Sequence, residues 1–176
     1  MNSTIQSDLT KSSEAFDLIV WPDIKKNVKK FEKAEYLKVE IYKGDKMRFN
    51  LDVLSGIDAY IIDEHGCIGV ATRVQFGDNY ESFTIRKARF NKLETEFSKR
   101  VYAIEKDIYC YPKLTVQAYM GYDGKLLGWC IAYTKDLIDI AQEGLCPVRK
   151  TTNASFFVID WQILKELRKK HISVNY

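Results

Sequence analysis

The chain has 176 residues, 46% hydrophobic, 13% aromatic and 29% charged, with a formal net charge of +3. That length suits one domain with a sizeable core and is short for two, and the composition excludes a disordered or fibrous chain. The mild positive balance permits an anionic partner without demanding one, because a local patch and not the sum attracts nucleic acid.

The opening MNSTIQSDLTKSSEAF is polar and lacks the apolar stretch of a signal peptide. No apolar run approaches the roughly 20 residues that span a bilayer, so a cytoplasmic protein without membrane association is expected. Cys67, Cys110, Cys130 and Cys146 are scattered with no CxxC pair. They read as free thiols in a reducing compartment and not as a zinc site.

After a polar lead of about a dozen residues, Ser12 or Ser13 can cap a short helix over Glu14 to Trp21, and Pro22 suits the first position of a second helical stretch. There Ile24, Val28 and Phe31 recur at helical spacing, while Lys25, Lys26, Lys29, Lys30 and Lys33 take the other sides. The lysines form either a solvated face or a flank that contacts phosphates, with Lys26 and Lys30 as the substrate-binding candidates.

From Tyr36 the period changes to two. LKVEIYK, DKMRFNLDVL, DAYIID, IGVATRVQF and SFTIRKARF alternate and are separated by Lys43-Gly44-Asp45, Glu64-His65-Gly66 and Gly77-Asp78-Asn79, which predicts an antiparallel meander. Asn91 then caps a helix with Leu93, Phe97, Val101 and Ile104 as its buried stripe and Glu96 paired to Arg100 outside. LTVQAYM and LLGWCIAY follow as a hairpin around Asp123-Gly124, a pair suited to a two-residue turn.

Thr134 opens a short helix through Leu137, Ile138 and Ala141, stopped by Gly144. SFFVI reads as the last strand, and Asp160 caps a closing helix with Ile163, Leu164 and Leu167 inward. No repeat or linker divides the chain. The order predicts a single α+β domain over residues 1–176, with helices packed on a mainly antiparallel central sheet.

Alternation puts Val70, Val74 and Phe76 on one face of their strand and Ala71, Arg73 and Gln75 on the other. The same rule separates Thr84 and Arg86 from Phe83 and Ile85, and Thr115 and Gln117 from Val116 and Ala118. If these strands share a sheet, Asp58, Arg73, Gln75, Thr84, Arg86 and Gln117 share a surface. Arginine forks with neutral Thr and Gln donors suit a phosphate, and an aspartate among them can hold a metal ion or orient an arginine. A solvated outer sheet face is the alternative.

Helix, strand, an aspartate opening the next strand, a polar pair two apart on the one after, then helix and strand: this order over residues 22–120 resembles the core of the PD-(D/E)XK, or restriction-endonuclease-like, superfamily. The resemblance implies a divalent metal, Mg²⁺, held by Asp58, with Arg73 in the position of the lysine and Ala71 in that of the second acid. In the other frame Arg73 and Gln75 take the acid and lysine positions. A replacement acid would come from Glu94 or Glu96 on the following helix, or from Glu35. Asp58, Arg73 and Gln75 form the catalytic set it implies, and Asp58 with Glu94 the metal ligands.

Thr84, Arg86, Gln117, Lys26 and Lys30 would bind substrate. The expected function is nucleic-acid binding, DNA ahead of RNA, with metal-dependent phosphodiester hydrolysis at a variant site. The rivals are a protein-interaction or inhibitor module that uses the polar face, and a small phosphate or nucleotide binder. His65 and His171, the two histidines, supply no material for an HNH nuclease, a metalloprotease or a nucleophilic triad. Tyr109, Tyr111, Tyr119 and Tyr122 fall in one neighbourhood, as core and rim packing or as rings that stack bases.

Overall fold

The alternating segments form strands in a computed structural model that describes residues 11–39, 56–89, 95–106, 111–167 and 173–175. In chain order they are β1 (Glu35–Lys38), β2 (Ala59–Asp63), β3 (Gly66–Phe76), β4 (Ser82–Arg89), β5 (Leu114–Met120), β6 (Leu126–Tyr133), β7 (Val148–Lys150), β8 (Ala154–Asp160) and β9 (Ser173–Asn175). DKMRFNLDVL, Asn91, Leu93, Glu94, Tyr109, Cys110 and Arg168 to His171 lie outside the described residues.

The strands make two sheets, one ordered β1-β2-β3-β5-β6-β9 and the other β4-β8-β7. All pairings are antiparallel except β3 with β5. The expected meander therefore ends at β3. Phe83 and Ile85 on β4 find their partners on β8, opposite Ile159 and Phe157, and the chain then returns so that β5 lies parallel to β3. Parallel neighbours need such a long crossover, whereas a meander does not. SFFVI is not the last strand either, since β9 follows it and pairs with β6.

The N-terminal helical run is continuous where two helices were expected. Residues 11–15 are helical, Phe16–Val20 form a π turn, and α1 (Trp21–Asn27) follows. Pro22 has no N–H to donate and its ring crowds the preceding turn, and the wider turn ahead of it absorbs that break. Ser12 and Ser13 are not caps: Ser12 Oγ donates to Val74 O at 2.6 Å, and Ser13 Oγ accepts from Lys38 Nζ at 2.8 Å. Val28 leaves helical geometry at φ −112°, ψ 98°, so the lysine-faced stretch breaks there and resumes as a 3-10 turn over Lys29–Phe31.

The helix α2 (Glu96–Lys106) begins at Thr95, whose N–H donates to Ser98 Oγ at 3.0 Å while Ser98 N–H reaches Thr95 Oγ1 at 3.4 Å. This reciprocal pair is a capping box. Phe97, Val101 and Ile104 pack inward as expected. In the β5–β6 hairpin only Gly124 takes positive φ, +80°, and Gly121 N–H closes the turn on Lys125 O at 2.8 Å, so the loop is wider than two residues. Then α3 (Thr134–Gln142) ends before Gly144 at φ +71°.

Asp160 Oδ1 accepts Gln162 N–H at 2.6 Å and opens α4 (Trp161–Leu167). Trp161 and Leu164 fill the core there, while Leu167, expected inward, is 49% exposed. The large sheet serves two apolar layers, which makes the chain a single α+β domain. One side packs Phe16, Val20, Ile24 and Phe31 on Val70, Val74, Val116 and Ile131. The other packs Phe83, Ile85, Leu137, Phe157 and Trp161 on Tyr119, Cys130 and Ala132. Among the described residues no helix is long and apolar enough to cross a membrane.

Candidate functional site

Register fixes the polar face. Arg73 neighbours Gln117 across the parallel β3–β5 pair, Gln75 neighbours Tyr119, and Ala71 neighbours Thr115. These side chains share the face that the second sheet and α2 partly cover, opposite the layer built on Val70, Val74 and Val116. Asp58 stands just before β2, its N–H donating to Val70 O at 3.0 Å and its Oδ2 accepting Thr72 N–H at 2.6 Å.

Thr84 and Arg86 reach this face from the other sheet, not from a common one. β4 is an edge strand, so part of its backbone has no ladder partner. Arg73 Nη1 donates to Thr84 O at 2.8 Å and to Thr84 Oγ1 at 2.7 Å. Arg86 N–H extends 3.5 Å to Glu96 Oε2, which also lies 3.5 Å from Arg73 Nη2.

Arg100 Nη2 binds Glu96 Oε1 at 2.7 Å, and Arg100 is only 3% exposed. The pair expected outside α2 therefore points inward. Phe97 and Ile104 already placed Arg100 on the buried stripe, three residues after one and four before the other, a signal that charge alone concealed. Arg100 Nη1 also reaches Thr115 Oγ1 at 3.4 Å, and that hydroxyl contacts Thr134 Oγ1 at 2.8 Å.

A register shift between Arg86 and Ala88 adds one residue to β4, and it turns Arg89 to the same side as Arg86. Arg86 lies 5.6 Å over the Phe156 ring. Burial, then Arg89 and Arg73, push the Arg86 guanidinium below its ordinary value, and Glu96 opposes them. Burial pushes the Glu96 carboxyl up, but Arg100, Arg73 and the Arg86 N–H outweigh it and hold it below the usual range. Three arginines, Arg73, Arg86 and Arg100, thus act on one carboxylate. Two buried donors on this face, Arg100 Nε and Gln117 Nε2, have no hydrogen-bond partner among the described residues.

Of the residues expected at the site, Arg73, Thr84, Arg86 and Gln117 come together, and Gln75 and Asp58 border them on the same face. Lys26 and Lys30 do not join: both are exposed in the helical layer on the opposite side of the sheet. Glu35 lines a groove with Asp17, Trp21, Lys25, Tyr36 and Lys38, also on that side. Glu94 lies outside the described residues. Arg89, Arg100, Thr115 and Thr134 belong to the network and were not singled out from sequence as site residues.

These residues do not fit Mg²⁺ in the arrangement described. One Asp58 oxygen is taken by Thr72 N–H, Ala71 has no ligand atom, and both Glu96 oxygens face guanidinium groups. Magnesium wants oxygen ligands in near-octahedral array with one or two carboxylates. No group of three or more His, Cys, Asp or Glu among the described residues is placed to hold a metal. The chemistry offered is that of an anion site. No protein-family model and no curated protein matches the chain, which leaves the geometry of this face to argue its function.

Proposed function

We propose that the chain is a nucleic-acid-binding protein on a restriction-endonuclease-like sheet, holding backbone phosphate at Arg73, Arg86 and Arg89. The observation that carries this is the imbalance of charge: Glu96 is matched to buried Arg100 at 2.7 Å, which leaves Arg73 weakly paired at 3.5 Å and Arg86 repelled by Arg73 and Arg89. A phosphate relieves that repulsion, and guanidinium forks suit its oxygens. Within the large sheet, helix, three antiparallel strands and, after β4 has left for the other sheet and α2 has followed, a strand parallel to the third support the resemblance, as does Asp58 standing at the head of β2 on the face of Arg73.

Binding is favoured over hydrolysis because the described face supplies cations while both oxygens of its Glu96 carboxylate already face guanidinium groups. Metal-dependent cleavage would need an acid from beyond it, such as Glu94.

Fluorescence anisotropy with labelled DNA and RNA tests the reading. Affinity should fall by about 0.9 log unit per log salt for each phosphate contacted on duplex DNA, or about 0.7 on a single strand. Arg86→Ala and Arg89→Ala should each weaken binding and flatten that slope. No binding of any nucleic acid at low salt would hand the polar face to a protein partner. Cleavage with Mg²⁺ or Mn²⁺ that Asp58→Asn abolishes would restore the hydrolase.

A further inference from the structure

Between β3 and β4 the chain turns through residues 77–81 with a residue in an unusual conformation. Glu81 sits at φ +47°, the left-handed region that a glutamate enters only at a cost. Its neighbours hold it there. Asn79 Oδ1 accepts Glu81 N–H at 3.1 Å, Asn79 Nδ2 donates to Leu127 O at 3.4 Å, and Glu81 O accepts Trp161 N–H at 2.8 Å.

What this turn presents is Tyr80. The ring is 51% exposed and stands 6.0 Å from Tyr119 at an interplanar angle of 73°. Tyr119 is itself fully buried, with its hydroxyl donating to Ser82 O at 2.7 Å. Tyr80 is thus an aromatic surface backed by a fixed one. It also lies toward Arg73, because Tyr119, its ring partner, neighbours Gln75, two residues along from Arg73 on the same face. Tyr122, 91% exposed, leans over Gly77 in the same turn and adds a second ring to this end of β3 and β5.

A ring on the same face as Arg73, whose guanidinium opens the arginine cluster, matches the two parts of a nucleotide. We infer that the nucleic acid bound here is single-stranded and that Tyr80 is the platform on which one of its bases stacks while Arg73 and Arg86 hold adjoining phosphate. This rests on the phosphate-binding reading above. In a duplex the base faces are stacked on one another and closed to an outside ring, whereas an unpaired strand offers them freely.

The test is anisotropy of the full chain with three labelled probes of about a dozen nucleotides: a thymidine oligomer, an abasic oligomer of equal length, and a duplex. The thymidine strand should bind more tightly than the duplex and the abasic strand. Tyr80→Ala should weaken the thymidine strand about 5- to 150-fold, the range a lost base stack gives, and leave the abasic strand and the salt slope unchanged. Tyr80→Trp should keep the affinity. Tyr80→Leu retains apolar packing on Tyr119 and should lose binding like alanine, which separates stacking from misfolding.

Equal binding of the thymidine strand by wild type and Tyr80→Leu overturns the stacking platform. If the abasic strand still binds with salt-dependent affinity, the phosphate site stands without it. Failure to bind any probe, abasic included, brings down both.

Discussion

Arg73 on the large sheet and Thr84 on the small one are joined twice, by hydrogen bonds of 2.8 Å to the Thr84 carbonyl and 2.7 Å to its hydroxyl. One guanidinium thus closes an exposed strand edge and, with its side chain 34% accessible, still faces solvent where a phosphate can lie. Arg73→Ala should lower stability by about 1–2 kcal/mol, since it strips charged donors from a partly covered edge. Arg86→Ala should stay within about 0.5 kcal/mol, as a partly exposed side chain without such ties. Urea denaturation of both variants checks this, and it makes Arg86 the cleaner probe of binding.

Glu96→Gln removes the charge that balances buried Arg100. Breaking a buried pair on one side costs about 3–5 kcal/mol, because the remaining ion has lost its water and its partner. The cost should exceed that of replacing both, Glu96→Gln with Arg100→Met, where no charge is left stranded. A double-mutant cycle read by chemical denaturation measures the difference.

Glu96 also sets a pH dependence. Its folded carboxyl titrates below the ordinary value of 4.5, so the folded state binds the proton more weakly than the unfolded one. The resulting stabilisation is complete above the unfolded value and is lost as pH falls through the folded one. Melting temperature should therefore drop on acidification from about pH 6 to pH 3, and Glu96→Gln should flatten that limb.

On the opposite layer, the indole N–H of Trp129, fully buried, donates to Asp23 Oδ2 at 2.7 Å. Asp23→Ala should cost about 1–3 kcal/mol by leaving that donor without an acceptor, and Asp23→Asn should cost less because its amide oxygen can replace the carboxylate. Thermal melts of the two variants separate lost bonding from lost charge.

Side-chain parity within a strand was legible in the sequence, and Arg73 and Gln75 do face away from Val70 and Val74. What sits across from them was not. The pairing of Arg73 with Gln117 depends on a parallel crossover, and contact with Thr84 depends on β4 leaving the meander, both set by where apolar faces find cover and not by local pattern. Lys26 and Lys30 misled because a lysine-rich face says nothing about which side of a sheet its helix occupies. Arg100 was missed for the reverse reason, a charge on an apolar stripe being read by its charge.

The parallel β3–β5 ladder bears on the rate of folding. Residues 77–113 intervene between those strands and include β4 and α2, so the ladder cannot close until that whole segment has been gathered. Ladders of such sequence separation fold on the order of milliseconds to seconds, not microseconds. The Arg73–Thr84 tie spans the start of that crossover. If it is already made at the barrier, its loss slows folding; if it forms afterwards, its loss speeds unfolding alone, and the two limbs of a chevron plot for Arg73→Ala tell these apart.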